Sequence, residues 1–296
     1  MPLNIINSLT IGKYAKKAAA AVNWVAVGQG SLIANSTDGK DWTAAATVGG
    51  LTTQGRSVAY GTDGSGNPRW VAVGDGSYIA YSPNGNDWYS AATKGGITRG
   101  WCVAYGTDGA GNPRWVAVGS PFGIAYSSDG NVWYSAVTTN ITDYTISSVA
   151  YGTDGAGNPR WVAVTTSVYQ TIIYSPDGNN WTVVPEASRG GLTKGNGVAY
   201  GKDGAGNPRW VIAGGKNTGD QSIAYSSNGS NWTAAPANSL SQGRAVAYGN
   251  GRWVATGDQN PKTIIYSSNG NSWSNDTTLG GITSIGFGVA FKNEIV

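Results

Sequence analysis

No histidine occurs among the 296 residues, and there are only one cysteine and two glutamates, Glu186 and Glu294. Without histidine the chain has no imidazole base, no serine–histidine pair and none of the commonest zinc ligand. Cys102 stands alone, so no intrachain disulfide can form, which fits a reducing compartment. Charged residues are 12% of the chain and the net charge is +3. The single small basic cluster, Lys13, Lys16 and Lys17, is not the clustered basic face of a nucleic-acid binder. No run approaches the roughly 18 apolar residues of a membrane span. The first twenty residues lack the continuous apolar core of a secretory signal, so neither feature is expected. What is abundant is glycine (46), tryptophan (13) and tyrosine (16), beside many Val, Ile and Thr. Such side chains suit pleated, half-buried surfaces, and the length accommodates one large all-β domain.

Periodicity organises the chain. One tryptophan series is Trp24, Trp70, Trp115, Trp161, Trp210 and Trp253; a second is Trp42, Trp88, Trp133, Trp181, Trp232 and Trp273. Only Trp101 falls outside both. Within one unit, four short segments read as strands bounded by Gly, Pro, Asn or Asp: SVAYG (57–61), RWVAVG (69–74), YIAYS (78–82) and DWYSAA (87–92). Four strands in about 45 residues is the signature of a β-propeller blade. The fold expected is therefore all-β: six four-stranded antiparallel blades, forming a single domain over residues 23–296. The C-terminal Val289-Ala290-Phe291 resembles the first strand of a unit. It is expected to pair with the Trp24 segment and close the ring, because an open ring leaves unpaired edges. Residues 1–22 would then be an extension or an outer strand at LNII. The alternative is a seventh, incomplete blade built from both termini.

Between the third and fourth segments every unit carries SxDGxxW or SxNGxxW, at 36–42, 82–88, 127–133, 175–181, 226–232 and 267–273. Asp-Gly and Asn-Gly supply the positive φ a tight hairpin needs, and the Ser and Asp or Asn side chains can bond nearby N–H groups. These turns resemble the Asp-box, or BNR repeat, of sialidase-like and other propellers. The likeness covers all six units, although the family pattern usually has one more residue between Asp and Gly. It implies a structural role, and no chemistry, for Asp38, Asn84, Asp129, Asp177, Asn228 and Asn269. A sialidase would also need arginines from differing positions around one pocket and a Tyr–Glu pair. Here Arg69, Arg114, Arg160, Arg209 and Arg252 share one repeat position, and neither glutamate sits beside a tyrosine in a matching motif. The style of the WVAVG and IAYSxDGxxW units is also similar to repeat propellers of giant viruses and virophages. The location expected is cytoplasmic or virion-associated.

The connection TDGAGNPR joins the first and second strands of four units and shrinks to GNGR in the sixth, so its residues are not individually essential. Asp63, Ser65 and Asn67 alternate like calcium ligands, but the middle position is Ala110, Ala156 and Ala205 in the other copies, and each loop has one carboxylate. No metal or cofactor is expected. Varied text lies instead in the second-to-third and fourth-to-first connections, which in an up-and-down blade emerge together on one face. That face is the candidate binding site. Its candidate residues are Arg99, Trp101, Phe122, Asp143, Tyr144, Tyr169, Lys216, Asp220 and Asp258. Trp101 breaks the repeat and suits stacking on a sugar or anchoring a peptide. The function expected is a non-enzymatic scaffold for a glycan or protein partner, with no nucleic acid and no membrane insertion. One alternative is a structural virion or surface component. Another is a glycoside hydrolase, which needs paired carboxylates, and only Asp143, Asp220 and Asp258 offer them.

Overall fold

The computed structural model describes residues 22–275, apart from 31–32, 77–78, 121–122, 139–140, 142–144, 168, 170, 216–221, 237–239 and 260–262. The chain is a β-propeller, with six sheets among the described residues. The first has three described strands, β1 (Trp24–Val27), β2 (Ile33–Ser36) and β3 (Thr43–Ala44). The second has β4 (Gly55–Thr62), β5 (Pro68–Gly74), β6 (Ile79–Ser82) and β7 (Tyr89–Ser90), hydrogen-bonded in that order and all antiparallel. The third repeats it with β8 (Arg99–Thr107), β9 (Pro113–Ser120), β10 (Ile124–Ser127) and β11 (Tyr134–Ser135). A short strand β12 (Val137–Thr138) then runs parallel to the outer strand of the fourth sheet, whose own strands are β13 (Ile146–Thr153), β14 (Pro159–Thr165), β15 (Ile172–Ser175) and β16 (Asn180–Val183). The fifth contains β17 (Lys194–Lys202), β18 (Pro208–Gly215), β19 (Ile223–Ser226) and β20 (Thr233–Ala234); the sixth, β21 (Leu240–Gly249), β22 (Arg252–Gln259), β23 (Ile264–Ser267) and β24 (Ser274–Asn275). Among the described residues the single helical segment is a 3-10 turn at Glu186–Ser188, and no helix is long and apolar enough to cross a membrane.

The outer strands are shorter than the sequence suggests, two residues in most blades. The chain leaves early because it crosses to the next blade and covers that blade's edge. Ala46 N–H donates to Asn86 O, Ala92 N–H to Asn131 O and Val137 N–H to Asn179 O, each in the following blade. Thr47 and Thr93 add hydroxyl bonds to the backbone of Trp88 and Trp133. Such covering removes the open edges that invite sheet-to-sheet association.

The core lies between blades. In the third, fourth and fifth blades the WVAV second strand and its variant are buried throughout, whereas Trp24–Val27 of the first blade is not: Val71, Val116, Val162 and Val211 are fully covered, as are Trp115, Trp161, Trp210 and Trp253. Each of these four indoles donates its N–H to a backbone carbonyl at the end of the preceding blade's inner strand: Thr62, Thr107, Thr153 and Lys202. The tyrosine facing it lies at 4.7–4.8 Å between centroids. That ring rests on the glycine of the previous blade's AYG: Tyr105 on Gly61, Tyr151 on Gly106, Tyr200 on Gly152 and Tyr248 on Gly201. A Cβ at any of these glycines would fall inside the ring. The glycine in these four AYG segments is thus required by its neighbour rather than by a turn.

Residues 1–21 and 276–296 lie outside the described residues, and with them the expected N-terminal extension and the closing strand at Val289–Phe291.

Candidate functional site

The repeated loops hold themselves. Asp63 accepts from the backbone N–H of Ser65 and Asn67, from the Asn67 amide and from Arg69, and Asp108, Asp154 and Asp203 repeat this arrangement. The carboxylate oxygens that might have met a cation are occupied by these donors. Each arginine also lies over the tyrosine of its third strand, at 4.6 Å for Arg69 over Tyr81 and 5.1 Å for Arg209 over Tyr225. In the SxDGxxW turns the serine hydroxyl accepts two backbone N–H bonds and donates to the Asp or Asn oxygen, which itself accepts two more. The tryptophan N–H closes on the glycine carbonyl in all six copies. Asp38, Asn84, Asp129, Asp177, Asn228 and Asn269 all sit at the centre of such a network.

The other face departs from the repeat. Near the start of each described inner strand from the second blade onward, the register slips by one residue at Arg56, Trp101, Ser147, Asn196 or Arg244, and the sixth blade slips once more at Ser241. A bulge turns the strand and re-aims a side chain. In four of the five blades a glycine precedes the bulged residue. Gly55, Gly100 and Gly195 lie against Val27, Val73 and Val164 of the preceding blade, where a Cβ has no room. The bulged side chains reach the next blade: Ser147 Oγ donates to Gly195 O at 2.7 Å and Asn196 Nδ2 to Gly243 O at 2.7 Å.

At the boundary of the second and third blades this series forms a cluster. Arg56 grips Asp75 through Nε and an Nη nitrogen, at 2.6 and 2.9 Å, and its guanidinium lies over the Trp101 ring, 3.9 Å from the centroid. Arg99 Nε reaches the same Asp75 oxygen at 3.2 Å, and Trp101 Nε1 donates to Ser120 Oγ at 3.4 Å. The Arg56 hydrogen bond, aided by the charges of Arg56 and Arg99, holds the Asp75 carboxyl below its ordinary value despite desolvation. The sixth blade repeats the fork, Arg244 to Asp258 at 2.8 and 3.0 Å, without a described tryptophan. That bond raises the Arg244 pKa.

Arg99 and Trp101 therefore come together, joined through Asp75 and Arg56. Asp258 belongs to a fork of its own. Tyr169 is elsewhere, in the fourth blade, 72% exposed, its carbonyl held by the buried Arg189. Phe122, Asp143, Tyr144, Lys216 and Asp220 lie outside the described residues. Sequence reasoning did not single out Arg56 and Asp75. Their signal was present: Asp75 and Asp258 each follow the second-strand tryptophan by five positions, and Arg56 and Arg244 each follow Gln-Gly. The fourth-to-first connections also proved less varied than expected. Gly49-Gly50-Leu51-Thr52 recurs as Gly95-Gly96-Ile97-Thr98 and Gly190-Gly191-Leu192-Thr193, with positive φ at both glycines and a buried Leu or Ile.

Among solved structures the chain is similar to YCF48 bound to D1 peptide, with 18% identity, TM-score 0.57 and coverage of 88% of this chain and 79% of that one. It is also similar to a chain in a nidogen/laminin complex, with 13% identity, TM-score 0.54 and coverage of 89% and 96%. A third likeness, to an ancestral GH74 enzyme, has 18% identity and TM-score 0.55; it covers 78% of this chain but 32% of that one. No protein-family model matches, and no curated protein matches. These likenesses place the chain among β-propellers by fold.

Proposed function

We propose that the chain is a non-enzymatic interaction scaffold that recognises a protein or peptide partner through the bulged, varied face. One observation carries this reading. The invariant residues of the repeat are consumed by contacts within the frame, whereas Arg56, Asp75, Arg99 and Trp101 form a preorganised cluster that the repeat does not need. Two propellers of similar fold are described in complexes, YCF48 with a D1 peptide and a nidogen/laminin complex, which agrees with a scaffold role. A glycan is the second reading, favoured by the indole of Trp101. The turns keep their resemblance to the Asp-box as a structural device.

Arrays of synthetic peptides and of glycans test the scaffold. Truncating an aromatic anchor costs about 2 kcal/mol or more, roughly thirtyfold in affinity. Trp101→Ala should weaken a captured ligand by about that factor, while Asp108→Ala should leave affinity within about twofold. The reverse result, with four or more ligands per chain by titration calorimetry, would move the site to the repeated loops.

A further inference from the structure

We infer that the bulged face takes an acidic peptide segment, with a side-chain carboxylate of the partner seated on Arg99 beside Trp101. This rests on the scaffold reading and names its partner class.

The charge at the cluster is unbalanced. Asp75 is one carboxylate shared by two guanidinium groups. Arg56 takes both of its oxygens, and is further fixed by stacking on Trp101. Arg99 is left with a single contact through Nε, and half of its side chain (51%) is open to solvent. No other carboxylate pairs with it among the described residues. A guanidinium held at Nε still presents N–H donors at its far edge, in the planar fork that matches a carboxylate. Because Asp75 fixes Arg99 and Arg56 fixes Trp101, little ordering remains for the partner to supply.

The imbalance extends around the mouth. Lys194 occupies in the fifth blade the repeat position of Arg99 and is exposed. The equivalent residues Gln54, Thr145 and Gln242 are uncharged. Asp258 is neutralised by Arg244. Among the described residues of the inner strands and the ends of the second strands, four basic side chains, Arg56, Arg99, Lys194 and Arg244, thus stand against two carboxylates, Asp75 and Asp258. On the opposite face each loop aspartate has its own arginine. A polyanion such as nucleic acid would need a continuous stripe of phosphate contacts. One open guanidinium next to an indole instead fits one carboxylate with an apolar neighbour, as a peptide provides.

A random 12-residue peptide library displayed on phage, selected against the full chain, tests this. Asp and Glu should be enriched among the selected sequences. In the best binder, replacing the key Glu by Gln should weaken binding at least tenfold, and the loss should disappear in Arg99→Gln protein. Arg99→Lys should restore part of it, and higher salt should weaken the wild-type complex. Equal melting midpoints for the variants will show that the fold is intact. If neutral or basic sequences are selected instead, the inference fails and the scaffold reading survives. It also fails if Arg99→Gln leaves the Glu-to-Gln loss unchanged, or if heparin or a single-stranded oligonucleotide binds at this cluster and acidic peptides do not. If the library yields nothing, both fail.

Discussion

Gly106→Ala isolates the contact that joins one blade to the next. The methyl group would meet Cγ and both Cδ atoms of Tyr151. The ring cannot yield easily, because Trp161 backs it at 4.8 Å and Thr107 Oγ1 holds its hydroxyl. Overpacking a fitted site costs about 1–3 kcal/mol, and breaking the hydroxyl bond adds about 1. The reduced freedom of the unfolded chain returns only about 0.4–1 kcal/mol. The expected loss is therefore about 2 kcal/mol. Denaturant unfolding of the single variants Gly106→Ala and Tyr151→Ala and of the double variant measures it. Removing the ring makes room for the methyl group, so the glycine substitution should cost under about 1 kcal/mol in the Tyr151→Ala background. Gly111→Ala is the control: its φ is +85 and nothing lies within 4 Å, so it suffers backbone strain without a clash. If Gly106→Ala were neutral, or the two substitutions additive, the packing argument would be refuted.

Acid sensitivity should arise from the repeated loops. Hydrogen bonds from the Asn67 side chain and backbone lower the Asp63 pKa; in Asp108 and Asp154 desolvation pushes upward but the loop donors outweigh it. Lowered carboxyl groups stabilise fully above the unfolded value of 3.8 and lose that contribution as pH falls through the folded values. The melting temperature should thus drop below about pH 4, and Asp63→Asn combined with Asp108→Asn should flatten the drop; an unaltered acid limb would contradict this. Deleting residues 286–296 tests the proposed ring closure by Val289–Phe291. The first sheet has three described strands, and Trp42 is 43% exposed where Trp88 is 2%. Aggregation or a large fall in melting temperature is expected, and an unchanged melting curve would rule this closure out.

Blade number, strand order and the SxDGxxW turns were legible in the residues because their causes are local. A turn is held by bonds spanning two or three positions, Ser82 to Gly85 or Asn84 to Asp87, and a periodic tryptophan marks each unit wherever the units sit in space. The repeated TDGAGNPR loop was likewise readable as frame, since Asp108 is satisfied within six residues. The bulge before each inner strand was not readable, since slipping one residue requires a partner strand to slip against. Nor was the use of Gly106, which depends on a ring 45 positions away. The candidate site divides the same way. Trp101 stood out by interrupting a pattern, and Arg99 was singled out beside it, but Arg56 and Asp75 joined them only when blades two and three were placed side by side. Short-range hydrogen bonding and side-chain periodicity are properties of the chain itself. Contacts across a blade boundary join residues far apart in the chain, Asp75 with Arg99 and Arg56 with Trp101, and nothing in their spacing says which will meet.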